Sequence, residues 1–99
     1  MKRRKRTPQQ ERRALWNRAF EQAKVIVRAR SGGRCERCRT AIATAFHHKL
    51  MGRTHPRCNE PEHIAHVCLL CHTEIHGHPA QAHEAGWLLH DWDVPRDAA

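Results

Sequence analysis

The stretch CLLCHTEIHG, Cys68–Gly77, places two kinds of metal ligand in one short segment. Cys68 and Cys71 have the CxxC spacing of a knuckle, and His72 and His76 follow at i and i+4. A helix entered through the cysteines sets both imidazoles on one face, where they can hold one ion. Working outward, CERC at Cys35–Cys38 is a second knuckle. Two CxxC pairs are the sequence form of a four-cysteine structural zinc site, each knuckle offering half a tetrahedron of thiolates. The alternatives are two disulfides, which need an export signal, or a redox CxxC, which needs a thioredoxin-like βαβ pattern. The sequence is read as carrying neither. Cys58 falls outside both pairs and is read as a free thiol in a loop.

A chain of 99 residues makes one small domain and buries only about 60–65% of the surface its unfolded form exposes. Bound zinc, contributing on the order of 10–16 kcal/mol of folding free energy, supplements so thin a core. No apolar run is long enough to span a bilayer, and a reducing cytoplasm is the expected location. Charge is very unevenly placed. Residues 1–30 hold eleven Lys and Arg against Glu11 and Glu21, net +9, and residues 31–99 hold seven against eight acids, net −1, giving the overall +8. Positive charge gathered in the first third suits a polyanionic partner, although a merely solubilising tail has the same composition.

Residues 1–6, with Lys2, Arg3, Arg4, Lys5 and Arg6, read as a flexible basic arm. Thr7, Pro8 and Gln10 form a capping-box start for a basic amphipathic helix over 7–30. Its apolar face is read as Leu15, Trp16, Ala19, Phe20, Ala23, Ile26 and Val27, opposite Arg12, Arg13, Arg18, Lys24 and Arg28. SGG (31–33) ends it. A strand is expected within 41–50, a loop over 51–62, a short strand at 63–67, and a second short helix between Pro79 and Gly86. WLLH (87–90) is read as a final strand, and 93–99 as a tail.

FHHKL, Phe46–Leu50, sets two histidines side by side in the first strand. Adjacent strand residues point to opposite sides, so His47 and His48 do not both ligate one ion. One completes a three-histidine set with His72 and His76; the other stands free to take a proton from water. Metal plus base is what hydrolysis of a phosphodiester requires. All-imidazole ligation favours Zn, Ni, Mn or Fe-type ions over Mg, with phosphate and water adding oxygen ligands.

Taken together, CERC, FHHKL and EPEHIAHVCLLCHTEIHGHPAQAHEAGW resemble the zinc-containing HNH endonucleases of bacteriophages and their hosts over roughly residues 31–90, within a nuclease domain read as 31–92. The resemblance implies a small α+β fold: a ββα-metal, treble-clef-like finger with a four-cysteine zinc, preceded here by the basic helix. It implies nicking or double-strand cleavage of DNA, with His48 as general base and His47, His72 and His76 on the catalytic divalent ion. His63 stands where the family usually has the asparagine that braces the loop carrying the base. A neutral imidazole offers one donor and one acceptor, so His63 is the favoured substitute and joins the catalytic set, with Asn59 the other candidate. His66, just before Cys68, is a candidate to cover the zinc site. Lys2–Arg6, Arg12, Arg13 and Arg53 are candidate phosphate contacts. Phage relatives often act beside the DNA-packaging terminase, which makes terminase subunits a possible partner by analogy only. A zinc-stabilised module that binds nucleic acid without cutting it is the alternative reading.

Overall fold

The computed structural model describes residues 4–52 and 54–97, so Lys2, Arg3 and Arg53 of the expected phosphate contacts lie outside the described residues. The chain runs α1 (Pro8–Ser31), β1 (Ala45–His48), β2 (Ile64–Val67), α2 (Leu69–Gly77) and α3 (Pro79–Ala85), with single 3-10 turns at Pro61–His63 and Asp91–Asp93. It is a small α+β protein whose two strands pair antiparallel, Ala45 with Val67 through His48 with Ile64. No helix among the described residues is long and apolar enough to cross a membrane.

The capping box forms at the start of α1: Gln10 N–H donates to Thr7 Oγ1 at 3.2 Å and Thr7 N–H donates to Gln10 Oε1 at 2.9 Å. Gly32 closes the helix in the left-handed region, φ 63°, its N–H donating to Arg28 O. The inward stripe is narrower than the sequence suggests. Trp16, Phe20, Ala23 and Val27 turn inward, and Ala23 and Val27 are buried against Ile64 and Phe46. Leu15, Ala19 and Ile26 are exposed. A sheet of two four-residue strands is too narrow to cover more of the helix.

Strand alternation then sorts the side chains. Ala45, Ala65 and Val67 pack with Cys35, Cys68, Cys71 and Trp87 on one face, while Phe46 and Ile64 pack against α1 on the other. His66 lies on the α1 face and not over the cysteines: it stacks on Phe46 at 4.3 Å, with Nδ1 2.7 Å from Ser31 Oγ. Its cross-strand partner is Phe46, and paired residues share a face.

α3 ends at Gly86, φ 83°, and packs on α2 through Ile75, Ala82 and Leu88. The expected strand at 87–90 is reduced to one bridge, Leu50 with Leu89, because the partner backbone turns away at Gly52, φ 79°. Cys58 is buried with Leu50 and Val94. It is a core residue, in keeping with the small, apolar behaviour of a free cysteine.

Arg30 fastens the end of α1 to everything that follows. It meets Glu36 in a two-pronged pair at 2.7 Å and donates to the carbonyls of Pro61 and Ile64. Glu36 in turn accepts from His66 N–H. Arg30→Ala strands a mostly covered carboxylate and two carbonyls, so it is expected to lower stability by about 2–3 kcal/mol. Urea unfolding of zinc-loaded wild type and variant measures the loss.

Candidate metal centres

The knuckles bring Cys35, Cys38, Cys68 and Cys71 together, their sulfurs all within 4.8 Å of one another, and none is in a disulfide. Tetrahedral ligation with Zn–S bonds of 2.3 Å sets sulfurs about 3.8 Å apart, so the cluster lies within reach of one tetrahedral ion. Backbone amides turn inward as a knuckle requires: Cys38 N–H donates to Cys35 Sγ at 3.5 Å and Cys71 N–H to Cys68 Sγ at 3.4 Å. Cys68 also serves as the N-cap of α2, so one residue both offers a ligand and starts the helix that carries the histidines.

The sulfurs differ in their hold on protons. Burial works against ionisation of Cys35, but the amides of Cys38, Cys68 and Arg37 outweigh it and bring the thiol down to about 6. Burial pushes Cys71 up to about 12, with the neighbouring sulfurs adding to the rise against the pull of Arg37. Backbone amides of Ala41 and Thr40 likewise lower Cys38, so the first knuckle favours thiolates while burial and the neighbouring sulfurs resist further negative charge at Cys71. A divalent cation relieves that repulsion.

The second cluster is His47 of β1 with His72 and His76 of α2, a ring nitrogen of each within 4.8 Å of the others. Nε2 of His72 and Nε2 of His76 face each other at 3.1 Å. Two ring nitrogens so close share either a proton or a cation, and Zn–N bonds of 2.0–2.1 Å set ligand nitrogens about 3.3 Å apart. His47 is only 1% exposed. Its Nε2 lies 2.6 Å from the Trp87 carbonyl, which can only accept, so that nitrogen carries the proton and the ring is held in one orientation. Burial, reinforced by His72, His76 and His48 against the pull of the Trp87 carbonyl, lowers the His47 pKa to about 4. Burial, then His76, also lowers that of His72. Neutral imidazoles are the ligating form.

This has a consequence for acid stability. The unfolded chain protonates His47 near its ordinary 6.5, whereas the folded ring resists down to about 4. Between those values the unfolded state binds the extra proton, so stability is complete above pH 6.5 and is lost as pH falls. With no ion added for the histidine site, wild type is expected to lose roughly 2 kcal/mol more than His47→Gln between pH 7 and pH 5. Urea unfolding of both at the two pH values decides it.

His48 points the other way, as alternation requires. Its ring lies 4.5 Å from Phe20 and 5.5 Å from Trp16 on α1. Nε2 sits 2.8 Å from Asn59 Oδ1, and Asn59 Nδ2 donates to the Trp16 carbonyl at 3.2 Å. Those contacts fix every role: a carbonyl only accepts, so the amide gives Trp16 its NH2 and offers His48 its oxygen. Nε2 of His48 therefore carries the proton, and Nδ1 is left as the acceptor.

His63 and Asn59, the two candidates to brace the base, take different places in the structure. His63 is buried, with Nδ1 donating to Arg57 O at 3.0 Å and 3.6 Å from Glu60 Oε1. It braces the loop between the strands, and Asn59 is the residue that touches His48. The two candidates thus divide the work, because the loop turns back between Asn59 and His63 through the 3-10 turn. Glu60, Glu62 and His63 also lie within ligand range of one another, but Arg57 pairs with both carboxylates. His55, which has no distinguishing spacing in sequence, is buried as a loop clamp: Nε2 donates to Val94 O and Nδ1 accepts from Arg57 N–H. The Trp87 carbonyl was not foreseeable, since a backbone contact leaves no mark in residue type.

The candidate phosphate contacts among the described residues gather at the N-terminal end of α1. Arg4, Lys5, Arg6 and Arg13 line an open hollow of about 550 Å³ with Thr7 and Gln10, and Arg12 and Arg13 flank Trp16 beside it. Trp16 connects this end of the helix to His48. Comparison with family models, with curated proteins and with solved structures finds no match to this chain.

Proposed function

We propose that the chain is a metal-dependent DNA endonuclease of the HNH type, built on a ββα-metal finger of β1, β2 and α2 and steadied by treble-clef-like zinc knuckles. One observation carries the reading: adjacent histidines are split, His47 joining His72 and His76 while Asn59 holds His48 with Nδ1 as acceptor. His48 is the last residue of β1, so the pair sits at the strand end with the three-histidine cluster on one side and the imidazole of His48 on the other.

A divalent ion held by the three imidazoles supplies charge neutralisation at the scissile phosphate and the leaving oxygen. His48 Nδ1 takes a proton from water as the water oxygen bonds to phosphorus. The bond from phosphorus to the leaving oxygen breaks, and that oxygen leaves with the electron pair. Asn59 Oδ1 continues to accept from Nε2 as the ring becomes cationic, which keeps it aimed. Arg4, Lys5, Arg6, Arg12 and Arg13, with Lys2, Arg3 and Arg53 from the sequence, contact phosphates and so provide affinity without base choice. A role beside a phage packaging terminase stays an analogy.

Supercoiled plasmid incubated with zinc-loaded protein and a panel of divalent ions tests the reading. Nicked or linear product with at least one ion is expected. Binding without cleavage under every ion would instead favour the non-catalytic nucleic-acid module.

A further inference from the structure

Three rings outside the metal centres form a column. His83 of α3 stacks on His90 at 3.9 Å and 9°, and His90 stacks on Trp92 at 4.4 Å and 7°. Trp92 ends the column and is 79% exposed, so its inner face is backed by imidazole and its outer face meets solvent. The turn that carries it is firmly held. Asp93 accepts from His90 N–H, Asp91 pairs with Arg96, and Arg96 donates to Thr54 O. Buried Val94 is fixed through its carbonyl by His55. An exposed tryptophan on so anchored a turn is presented, not merely left over.

Its place in the fold matters. The same segment touches the strand that carries the histidine pair, through the Trp87 carbonyl on His47 and Leu89 N–H on Lys49 O at 2.8 Å. Trp92 is five positions after Trp87, so their Cα atoms stand at most about 18 Å apart, which keeps the platform within a few nucleotides of a phosphate at the site. Of the nearby carboxylates Asp91 is paired with Arg96, which lessens its repulsion of a polyanion.

We propose that Trp92, backed by His90 and His83, is a stacking platform for an unpaired nucleobase of the DNA. This rests on the endonuclease reading for its substrate. A base inside a duplex is already stacked on both faces, so a flat exposed ring selects bases that are frayed, flipped or single-stranded.

The test is fluorescence anisotropy with a labelled oligothymidylate and with an abasic strand of equal length, without added divalent ion so that cleavage does not intrude. Wild type is expected to prefer the base-bearing strand. W92A is expected to lose affinity for it on the order of tenfold and to bind the abasic strand unchanged, while W92F keeps most of the preference. Zinc content and far-UV circular dichroism verify that W92A folds. No preference in wild type, or no change in the preference in W92A, overturns the platform. Plasmid cleavage scored separately distinguishes the two ideas: cleavage without base preference sinks the platform alone, and base preference without cleavage sinks the endonuclease alone.

Discussion

Removing zinc from the four-cysteine site is expected to abolish the cooperative thermal transition of this protein. The cluster around the site consists of Cys35, Cys68 and Cys71 with only Ala65 and Val67 between them, edged by Ala45 and Trp87. Little apolar surface remains there to hold the knuckles together once the ion is gone. A structural zinc contributes on the order of 10–16 kcal/mol, against a total of about 5–15 kcal/mol for a typical domain. The loss is therefore as large as the whole net stability of a typical domain. Cys68 carries an added cost, because it caps α2 and so positions His72 and His76. A tight chelator followed by circular dichroism melts should show a flat trace, with the transition restored by added Zn2+. A transition unchanged by full zinc removal would show that the knuckles are packing, not a metal site.

The second large effect is at His48. His48→Ala removes the proposed proton acceptor while leaving the three-histidine cluster in place, and under the endonuclease proposal cleavage is expected to fall on the order of 10²–10⁴-fold. Asn59→Ala leaves the ring in place but removes the contact that fixes its tautomer and aim. A smaller loss, on the order of 10–100-fold, is expected there. His63→Ala is expected to act differently: it frees Arg57 O and loosens the loop, so it lowers stability together with activity. Plasmid cleavage rates beside urea midpoints for the three variants separate these outcomes.

How much of this was legible in sequence follows the range of the interactions. Local devices read clearly: the Thr7–Gln10 box, the Gly32 and Gly86 stops, and both CxxC knuckles depend on residues a few positions apart. Alternation divided His47 from His48 correctly, since period 2 is a property of the strand itself. The same rule, applied through the register, puts His66 with Phe46 and away from the cysteines, but the register is set by cross-strand pairing and is not local. The buried stripe of α1 was overdrawn because its width depends on how little sheet there is to cover it. Cys58, His55 and Asn59 lie in one loop whose path is fixed by contacts with Val94 and Trp16, some 36 to 43 residues away along the chain. Nothing in the composition of that loop announces those partners.

The central claim is that the adjacent histidines do different jobs, His47 on the ion and His48 on the proton. The direct measurement is second-site divalent-ion affinity together with plasmid cleavage for His47→Ala and His48→Ala, both zinc-loaded. The expected result is that His47→Ala binds the ion weakly, whereas His48→Ala binds it as wild type does and fails to cut. Equal loss of the ion in both variants, or wild-type cleavage by His48→Ala, would contradict the division.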